Sequence, residues 1–235
     1  MEKEYANYLL NKVKNDYNQI AENFASTRTQ VWPEINFLFD YIKPGDKVLD
    51  LGCGHGRYLL EIKKRGGIYF GIDGSKELIK IAKDKYPKEN IQMADVLTLP
   101  FKNNFFDIVY SLAVLHHIPS VALREQFLRE TEKVIKPGGF VILTVWRPKN
   151  KAEKRIFWKF FLKKFFGCSQ LDFGDVIEPW FGNNKGERYY HCFTKQELAG
   201  LAKRAGLKID KIDTIGTSLG ARNNIYLVAQ KRQQK

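Results

Sequence analysis

A glycine-rich turn carries the residue types best suited to ligand binding in this chain. Gly52, Gly54 and Gly56 follow a short apolar run and precede a segment with helical spacing, so they are expected to join a strand to a helix. Glycines in such a turn let the backbone approach a ligand closely. Their spacing departs from the GxGxxG of dinucleotide-binding turns, and Asp50 stands just before them. A carboxylate at this point would repel a diphosphate and favour a cationic ligand.

Two more carboxylates follow predicted strands at regular intervals. Asp73 ends the second predicted strand, 23 residues after Asp50, and Asp95 ends the third. A carboxylate at Asp73 can accept both hydroxyls of an unphosphorylated ribose, and Asp95 is placed to meet an adenine edge. A cationic nucleoside without phosphate fits this set, and S-adenosylmethionine is such a compound. The alternative is that the glycines serve only the tight turn and that the acids cap helices.

The elements that must position these residues alternate along most of the chain. Apolar runs predict strands at residues 47–51, 68–73, 91–95, 106–112 and 140–145. Helical spacing predicts helices at residues 5–25, 33–42, 57–64, 76–85, 121–135 and 195–205. This alternation is typical of an α/β fold with a mostly parallel sheet and helices on both faces. Two last runs, at residues 207–215 and 224–229, predict a C-terminal antiparallel hairpin.

The domain organisation follows from this alternation and from where it is interrupted. Residues 1–235 are expected to form a single domain, in which residues 1–43 supply N-terminal cap helices. Residues 148–193 are expected to be an insertion, rich in lysine and aromatic residues and without a strand pattern.

Composition limits the class of protein. The chain has 235 residues, and 39 Lys and Arg against 26 Asp and Glu give a net charge of +13. No apolar run approaches the ~20 residues of a membrane-spanning helix, and the first residues lack the features of a signal peptide. We therefore expect a cytoplasmic protein without stable membrane association. The three scattered cysteines do not suggest a metal site.

Four segments in the first two thirds of the chain carry a resemblance to a known family. They are VLDLGCGHGRYL, GIDGSKELIKIAK, ADVLTLPFKNNFFDIVYSLAVLHHI and LRETEKVIKPGGFVILTVW. In this order they resemble the successive motifs of class I S-adenosylmethionine-dependent methyltransferases over residues 47–146. The resemblance implies a Rossmann-like sheet of seven strands, whose last hairpin inserts an antiparallel strand. It also implies that Asp50, Gly52, Gly54, Asp73 and Asp95 bind S-adenosylmethionine.

The flanking segments resemble a narrower family. They are VKNDYNQIAENFASTRTQVWP, SLAVLHHIPS, GDVIEPWFGNNKGERYYHCFTKQEL and NNIYLVAQK. They are similar to segments of the tRNA wobble-uridine carboxymethyl methyltransferases, which make the methyl ester of 5-carboxymethyluridine. The resemblance implies tRNA as a substrate and a small zinc-binding activator subunit as a partner.

A carboxylate acceptor defines the chemistry that the site must perform. It is ionised at pH 7 and needs no general base, so catalysis should come from alignment and desolvation. A cationic or hydrogen-bonding side chain must orient it. The resemblance brings together three segments that supply the candidate catalytic residues, which are Arg28, His116, Arg188, Tyr189 and His191.

Each of these residues also has a structural interpretation. His116 could cap the following helix, Arg188 could pair with an acid, and Tyr189 could be part of the core. Tyr17 lies seven residues before Phe24 on one helix face, which suits either a lid over the cofactor or core packing. We favour the lid for Tyr17.

The predicted insertion contains a strongly basic stretch. Residues 149–164 hold seven cations and one acid, interleaved with aromatic residues at helical spacing. The stretch suits a surface that follows an RNA backbone, a solvated lysine face over a buried aromatic stripe, or a helix on an anionic membrane. The membrane interpretation, with the LHHI segment, favours a second function, methylation of a quinone, sterol or similar lipophilic acceptor. A third interpretation is an RNA-binding protein with a relict cofactor site.

Overall fold

One central sheet organises the part of the chain that the computed structural model describes, residues 1–147, 151–179, 187–216 and 224–233. Its seven strands are β1 (Lys47–Leu51), β2 (Ile68–Asp73), β3 (Asn90–Met93), β4 (Phe106–Leu112), β5 (Ile135–Val145), β8 (Leu207–Ile215) and β9 (Asn224–Lys231). A separate two-stranded hairpin consists of β6 (Asp175–Pro179) and β7 (Glu187–His191).

Helices cover both faces of this sheet. The α-helices are α1 (Lys3–Thr27), α2 (Leu59–Lys64), α3 (Lys76–Lys85), α4 (Val121–Val134), α5 (Lys151–Phe165) and α6 (Lys195–Arg204). Two 3₁₀ helices span Pro33–Tyr41 and Leu115–His117. Within the described ranges, no helix combines the length and the apolar character needed to span a lipid bilayer.

The strand order is β3-β2-β1-β4-β5-β9-β8. Strands β1 to β5 are parallel, and β9 runs antiparallel between β5 and β8. The predicted fold class, a Rossmann-like and mostly parallel seven-stranded sheet with an antiparallel C-terminal hairpin, is therefore confirmed. Strands β2 and β3 lie on one side of β1, and β4 and β5 lie on the other, so the strand order reverses at β1. The carboxyl end of β1 is therefore the switch point, where such folds bind ligands.

Alternating side chains of the central strands explain why both faces are covered. Leu49 and Val109 point into one buried cluster, whereas Val48 and Ile108 point into the other. Helices α4 and α6 close the first cluster, and the 3₁₀ helix Pro33–Tyr41 with α2 closes the second. A strand that is buried on both faces is mostly apolar along its length, and this pattern allowed the strands to be predicted from the sequence.

The structure corrects several predicted boundaries. Strand β5 begins at Ile135, so the expected Pro-Gly break before residue 140 lies within a strand that contains a register shift. Strand β3 ends at Met93, so Asp95 lies two residues beyond it. The expectation that residues 148–193 have no strand is wrong, because β6 and β7 lie there. Residues 148–150 and 180–186 of this insertion lie outside the described residues.

Candidate active site

A cavity of about 440 Å³ opens at the carboxyl ends of β1, β2, β4 and β5, beneath α1. Its wall includes six of the residues predicted from the sequence, namely Tyr17, Arg28, Gly52, Gly54, Asp73 and Arg188. It also includes residues that the sequence did not single out, among them Lys14, His117, Trp146 and Asn224. The switch point of the sheet and the residues chosen for their chemistry therefore coincide.

The glycine turn and Asp73 form one end of this cavity. The Asp73 carboxylate accepts the backbone N–H of Gly54 at 2.9 Å and that of Ser75 at 2.8 Å. Burial raises the pKa of Asp73, although these N–H groups favour its ionised form. Gly52 has a φ of +83°, and a side chain there would collide with Val114. A Cβ on Gly54 would be in ordinary van der Waals contact with Leu78 and Phe24, each at 3.9 Å.

Asp50 lies behind the cavity wall, not in it. Its side chain is buried and accepts a hydrogen bond from the Tyr69 hydroxyl at 3.0 Å. Burial raises the pKa of Asp50 from 3.8 to about 7, and the neighbouring Asp73 adds to the rise. Asp50 is not among the residues that line the cavity, so its predicted contact with a cofactor stays a prediction.

This buried carboxyl predicts a pH effect on stability. Between about pH 4 and pH 7, folded Asp50 keeps a proton that the unfolded chain has released, so this group makes the free energy of unfolding fall as pH rises. Asp50→Asn keeps the size and removes the titration. We expect the urea midpoint of the variant, relative to the original protein, to rise across this interval. A constant difference between the two midpoints would mean that Asp50 does not titrate in this range.

Asp95 lies beside the cavity and is not among its lining residues. Its carboxylate accepts the Leu97 N–H at 2.9 Å and is 3.2 Å from the Lys14 ammonium of α1. The adjacent Val96 and Lys14 itself do line the cavity. Asp95 thus caps its own loop and links helix α1 to this end of the site.

Helix α1 covers the cavity and is hydrogen-bonded to His117, another residue of the cavity wall. The His117 Nδ1 faces the Tyr189 carbonyl oxygen at 3.0 Å, and a carbonyl can only accept, so Nδ1 carries the proton in neutral His117. The other nitrogen, Nε2, then accepts the Tyr17 hydroxyl at 2.9 Å. Phe24, about two turns further along α1, packs edge-on against Tyr17 and His55. Both aromatic side chains line the cavity, so this face of α1 forms its roof.

A fixed guanidinium stands in the wall contributed by β7. Arg188 donates a hydrogen bond to Glu178 on β6, and its guanidinium carbon lies 4.7 Å from the centre of the Trp146 ring. Glu178 also accepts the Tyr190 hydroxyl at 3.0 Å. Arg188 is 7% exposed and lines the cavity, and its charge is paired with the buried Glu178 carboxylate. The second predicted cation, Arg28, also lines the cavity, and its guanidinium carbon lies 4.4 Å from the centre of the Phe24 ring.

The other three predicted catalytic residues lie in the layer behind this wall. His116 is fully buried and stacks on Trp146 at 4.1 Å between ring centres. The Tyr189 hydroxyl donates to Asp175 at 2.8 Å. His191 lies between the carboxylates of Asp175 and Glu197, at 2.7 Å from each. None of the three is among the residues that line the cavity, and their contacts hold Trp146 and β7, so their catalytic roles stay predictions.

These buried groups form one polar cluster around Asp175. Besides Tyr189 and His191, Arg124 of α4 approaches this carboxylate at 3.6 Å. Burial opposes ionisation of Glu197, but the hydrogen bond and charge of His191 outweigh it and lower the pKa of Glu197. The cluster ties the β6–β7 hairpin to α4 and α6, and so fixes the strand that presents Arg188.

The donor set fits S-adenosylmethionine. The Asp73 carboxylate has the chemistry to accept ribose hydroxyls, Gly54 lies in the cavity wall, and aromatic side chains of α1 line the cavity. Across the described ranges, no group of three or more His, Cys, Asp or Glu side chains is arranged to hold a metal ion.

Comparison with known proteins agrees with this site. Residues 49–143 match the family described as Methyltransferase domain. A tRNA (carboxymethyluridine(34)-5-O)-methyltransferase of Schizosaccharomyces pombe is 31% identical over 228 residues, covering 88% of this chain and 91% of the relative. One of Arabidopsis thaliana is 38% identical over 135 residues, covering 57% of this chain and only 32% of that longer relative.

A solved structure shows the same fold. A SAM-dependent methyltransferase of Methanosarcina mazei superimposes with a TM-score of 0.74 at 23% identity, over 87% of this chain and all of the other. The glycine turn and Asp73 lie within residues 49–143, the segment that the family model matches. The chain therefore belongs to the class I S-adenosylmethionine-dependent methyltransferases, in the family of the tRNA (carboxymethyluridine(34)-5-O)-methyltransferases.

Proposed function

We propose that this enzyme methylates the carboxylate of 5-carboxymethyluridine, or a related derivative, at the wobble position of tRNA. The observation that carries the proposal is Arg188, a buried cation held by Glu178 and Trp146 in the cavity wall. A guanidinium in such a place is suited to bind and orient a carboxylate. The names of the relatives from S. pombe and A. thaliana support the choice of acceptor.

The proposed roles follow from what an ionised acceptor requires. When bound, S-adenosylmethionine supplies an electrophilic methyl group. Asp73 and the backbone of Gly52 and Gly54 hold the donor, and Arg188 and Arg28 orient the acceptor carboxylate without removing a proton. Tyr17 and the rest of the α1 roof keep water out, which strengthens the interactions of the anion with its cationic neighbours.

The test of this proposal is the chemistry of the product. The protein, with and without a zinc-binding activator subunit, is incubated with radiolabelled S-adenosylmethionine and tRNA carrying 5-carboxymethyluridine. We expect label in the tRNA that mild alkali releases as methanol, because esters hydrolyse under conditions that leave methylated bases intact. Alkali-stable label, or no label in either preparation, would contradict the proposal.

Helix α5 offers a surface for the body of the tRNA. Its Ile156, Phe157 and Phe160 pack against the cluster formed by Val176 and Tyr190, so α5 lies on the hairpin that carries Arg188. On its outer side lie the cations Lys154, Arg155, Lys159 and Lys163, all exposed. Exposed Trp158 and Phe165 accompany them. Cations with aromatic rings between them suit phosphates and unpaired bases together.

Charge reversal on α5 should weaken tRNA binding and change its salt dependence. We expect the triple variant Arg155→Glu, Lys159→Glu, Lys163→Glu to lose up to roughly two to three units of the slope of log K against log salt. A variant with the same charge change on α3 and its following loop, Lys80→Glu, Lys83→Glu, Lys88→Glu, is the control. Equal slopes for the two variants would remove α5 from the tRNA surface. Affinity for S-adenosylhomocysteine should stay unchanged in both.

A lipophilic small-molecule acceptor is the second candidate. The observation that favours it is the exposed apolar side of α5, where Trp158, Leu162, Phe165 and Phe166 are each at least half exposed. Such a side, flanked by cations, also suits an anionic membrane surface. Label transferred to a lipid extract and not to tRNA would establish this candidate. A cytoplasmic location and partnership with an activator subunit belong to the first proposal and stay predictions.

A further inference from the structure

Asn224, the first residue of β9, is a buried polar residue to which none of the roles above assigns a function. It is 2% exposed and lines the cavity. Its Oδ1 has no hydrogen-bond partner among the described residues. Leaving a buried amide oxygen unpaired costs stability, so such an atom in a cavity wall indicates a donor that arrives with a ligand.

The sheet register places Asn224 at the acceptor end. Val145 of β5 pairs with Ile225 of β9, and the strands are antiparallel, so Trp146 and Asn224 follow side by side at the end of this pair. The Trp146 ring in turn packs against the Arg188 guanidinium. Asp73, by contrast, ends β2, which is separated from β9 by β1, β4 and β5. The Asn224 amide therefore lies near Arg188, which is proposed to hold the acceptor. It lies away from Asp73, which is proposed to hold the ribose of the donor.

We propose that Asn224 recognises the base of the acceptor, with Oδ1 accepting the N3–H of uracil. This inference rests on the proposed function. An amide presents an acceptor and a donor side by side, which matches the imide edge of uracil, where N3–H adjoins a carbonyl oxygen. Arg188 would then bind the carboxylate of the 5-substituent while Asn224 binds the ring, so two contacts fix the acceptor. A site built to pair with a ligand N–H discriminates strongly against an analogue that lacks it.

The experiment compares two anticodon stem-loop RNAs, one with 5-carboxymethyluridine and one with its N3-methylated analogue. The original enzyme should prefer the first by roughly ten- to a hundredfold in kcat/KM. Asn224→Ala should lose this preference, with a low and similar kcat/KM on both RNAs. Asn224→Asp keeps an acceptor oxygen and should retain the preference, at a lower rate because its charge repels the acceptor carboxylate. The ratio does not depend on the fraction of folded enzyme, so a loss of stability does not obscure it.

Controls separate the possible outcomes. Asn36→Ala changes an exposed residue outside the cavity wall and should behave as the original enzyme. Affinity of Asn224→Ala for S-adenosylhomocysteine should be unchanged; a loss of tenfold or more would assign the amide to the donor and overturn the inference. An Asn224→Ala variant that keeps the preference for the N3–H would also overturn it. If the original enzyme methylates neither RNA, the proposed function itself fails and the inference falls with it.

Discussion

Replacing Arg188 by methionine should lower kcat for methyl transfer by roughly a hundredfold, because an acceptor that is no longer held in line with the methyl group reacts more slowly. Methionine keeps much of the volume against Trp146 but removes the charge that orients the acceptor carboxylate. Affinity for S-adenosylhomocysteine should be unchanged. Single-turnover rates on tRNA and calorimetry with S-adenosylhomocysteine measure the two quantities separately.

The buried partner of Arg188 complicates this variant and also provides its control. Arg188→Met leaves Glu178 buried without its cation, which destabilises the fold. The double variant Glu178→Gln, Arg188→Met removes both charges and should recover stability without recovering kcat. Arg129→Met, on an exposed part of α4, is the matched control and should keep full activity. Recovery of kcat in the double variant would show that Arg188 acts only through stability.

Asp73→Ala should weaken the binding of S-adenosylhomocysteine by about ten- to a hundredfold, from the loss of hydrogen bonds to a charged acceptor. The alanine removes the oxygens proposed for the ribose and also the acceptor for the Gly54 and Ser75 N–H groups. The glycine turn is therefore expected to loosen as well. Isothermal titration calorimetry gives the affinity directly.

Two further variants show which loss matters. Asp73→Asn keeps one acceptor oxygen for the backbone and should fall between the original protein and Asp73→Ala. Asp84→Ala, exposed on α3, should bind as the original protein does. Affinity of Asp73→Ala equal to that of Asp84→Ala would exclude Asp73 from the donor site.

The central sheet could be predicted because its residues follow simple rules. Strands such as β1 and β4 are short, mostly apolar segments, and Asp73 stands where a strand meets a turn. The β6–β7 hairpin could not be predicted in this way. Its buried residues include Asp175, Glu178, Arg188 and His191, which satisfy each other across the hairpin and with α4 and α6. Charged residues in a segment predict exposure unless their partners are known, and the partners are distant in sequence.

Within the site, neighbouring residues were the hardest to tell apart. His116 and His117 are adjacent, and the 3₁₀ turn Leu115–His117 rotates one toward the cavity and the other under Trp146. Sequence spacing does not fix this rotation. The sequence therefore makes His116 a catalytic candidate, whereas the structure places His117 in the cavity wall. Similarly, Asp50 is the penultimate residue of β1 and Asp73 the last of β2. Asp50 is buried and is not among the lining residues, whereas Asp73 lines the cavity.

Helix α1 touches more than the end of the cavity that holds the donor. Lys12 donates a hydrogen bond to the Glu187 carbonyl oxygen of β7 at 2.6 Å, and Tyr17 reaches the Tyr189 carbonyl oxygen through His117. Hydrogen bonds therefore link helix α1, which roofs the cavity, to β7, the strand that bears Arg188. We therefore expect that, where the first substrate to bind orders these linked elements, it raises the affinity for the second, and thermodynamic reciprocity makes the two affinity gains equal.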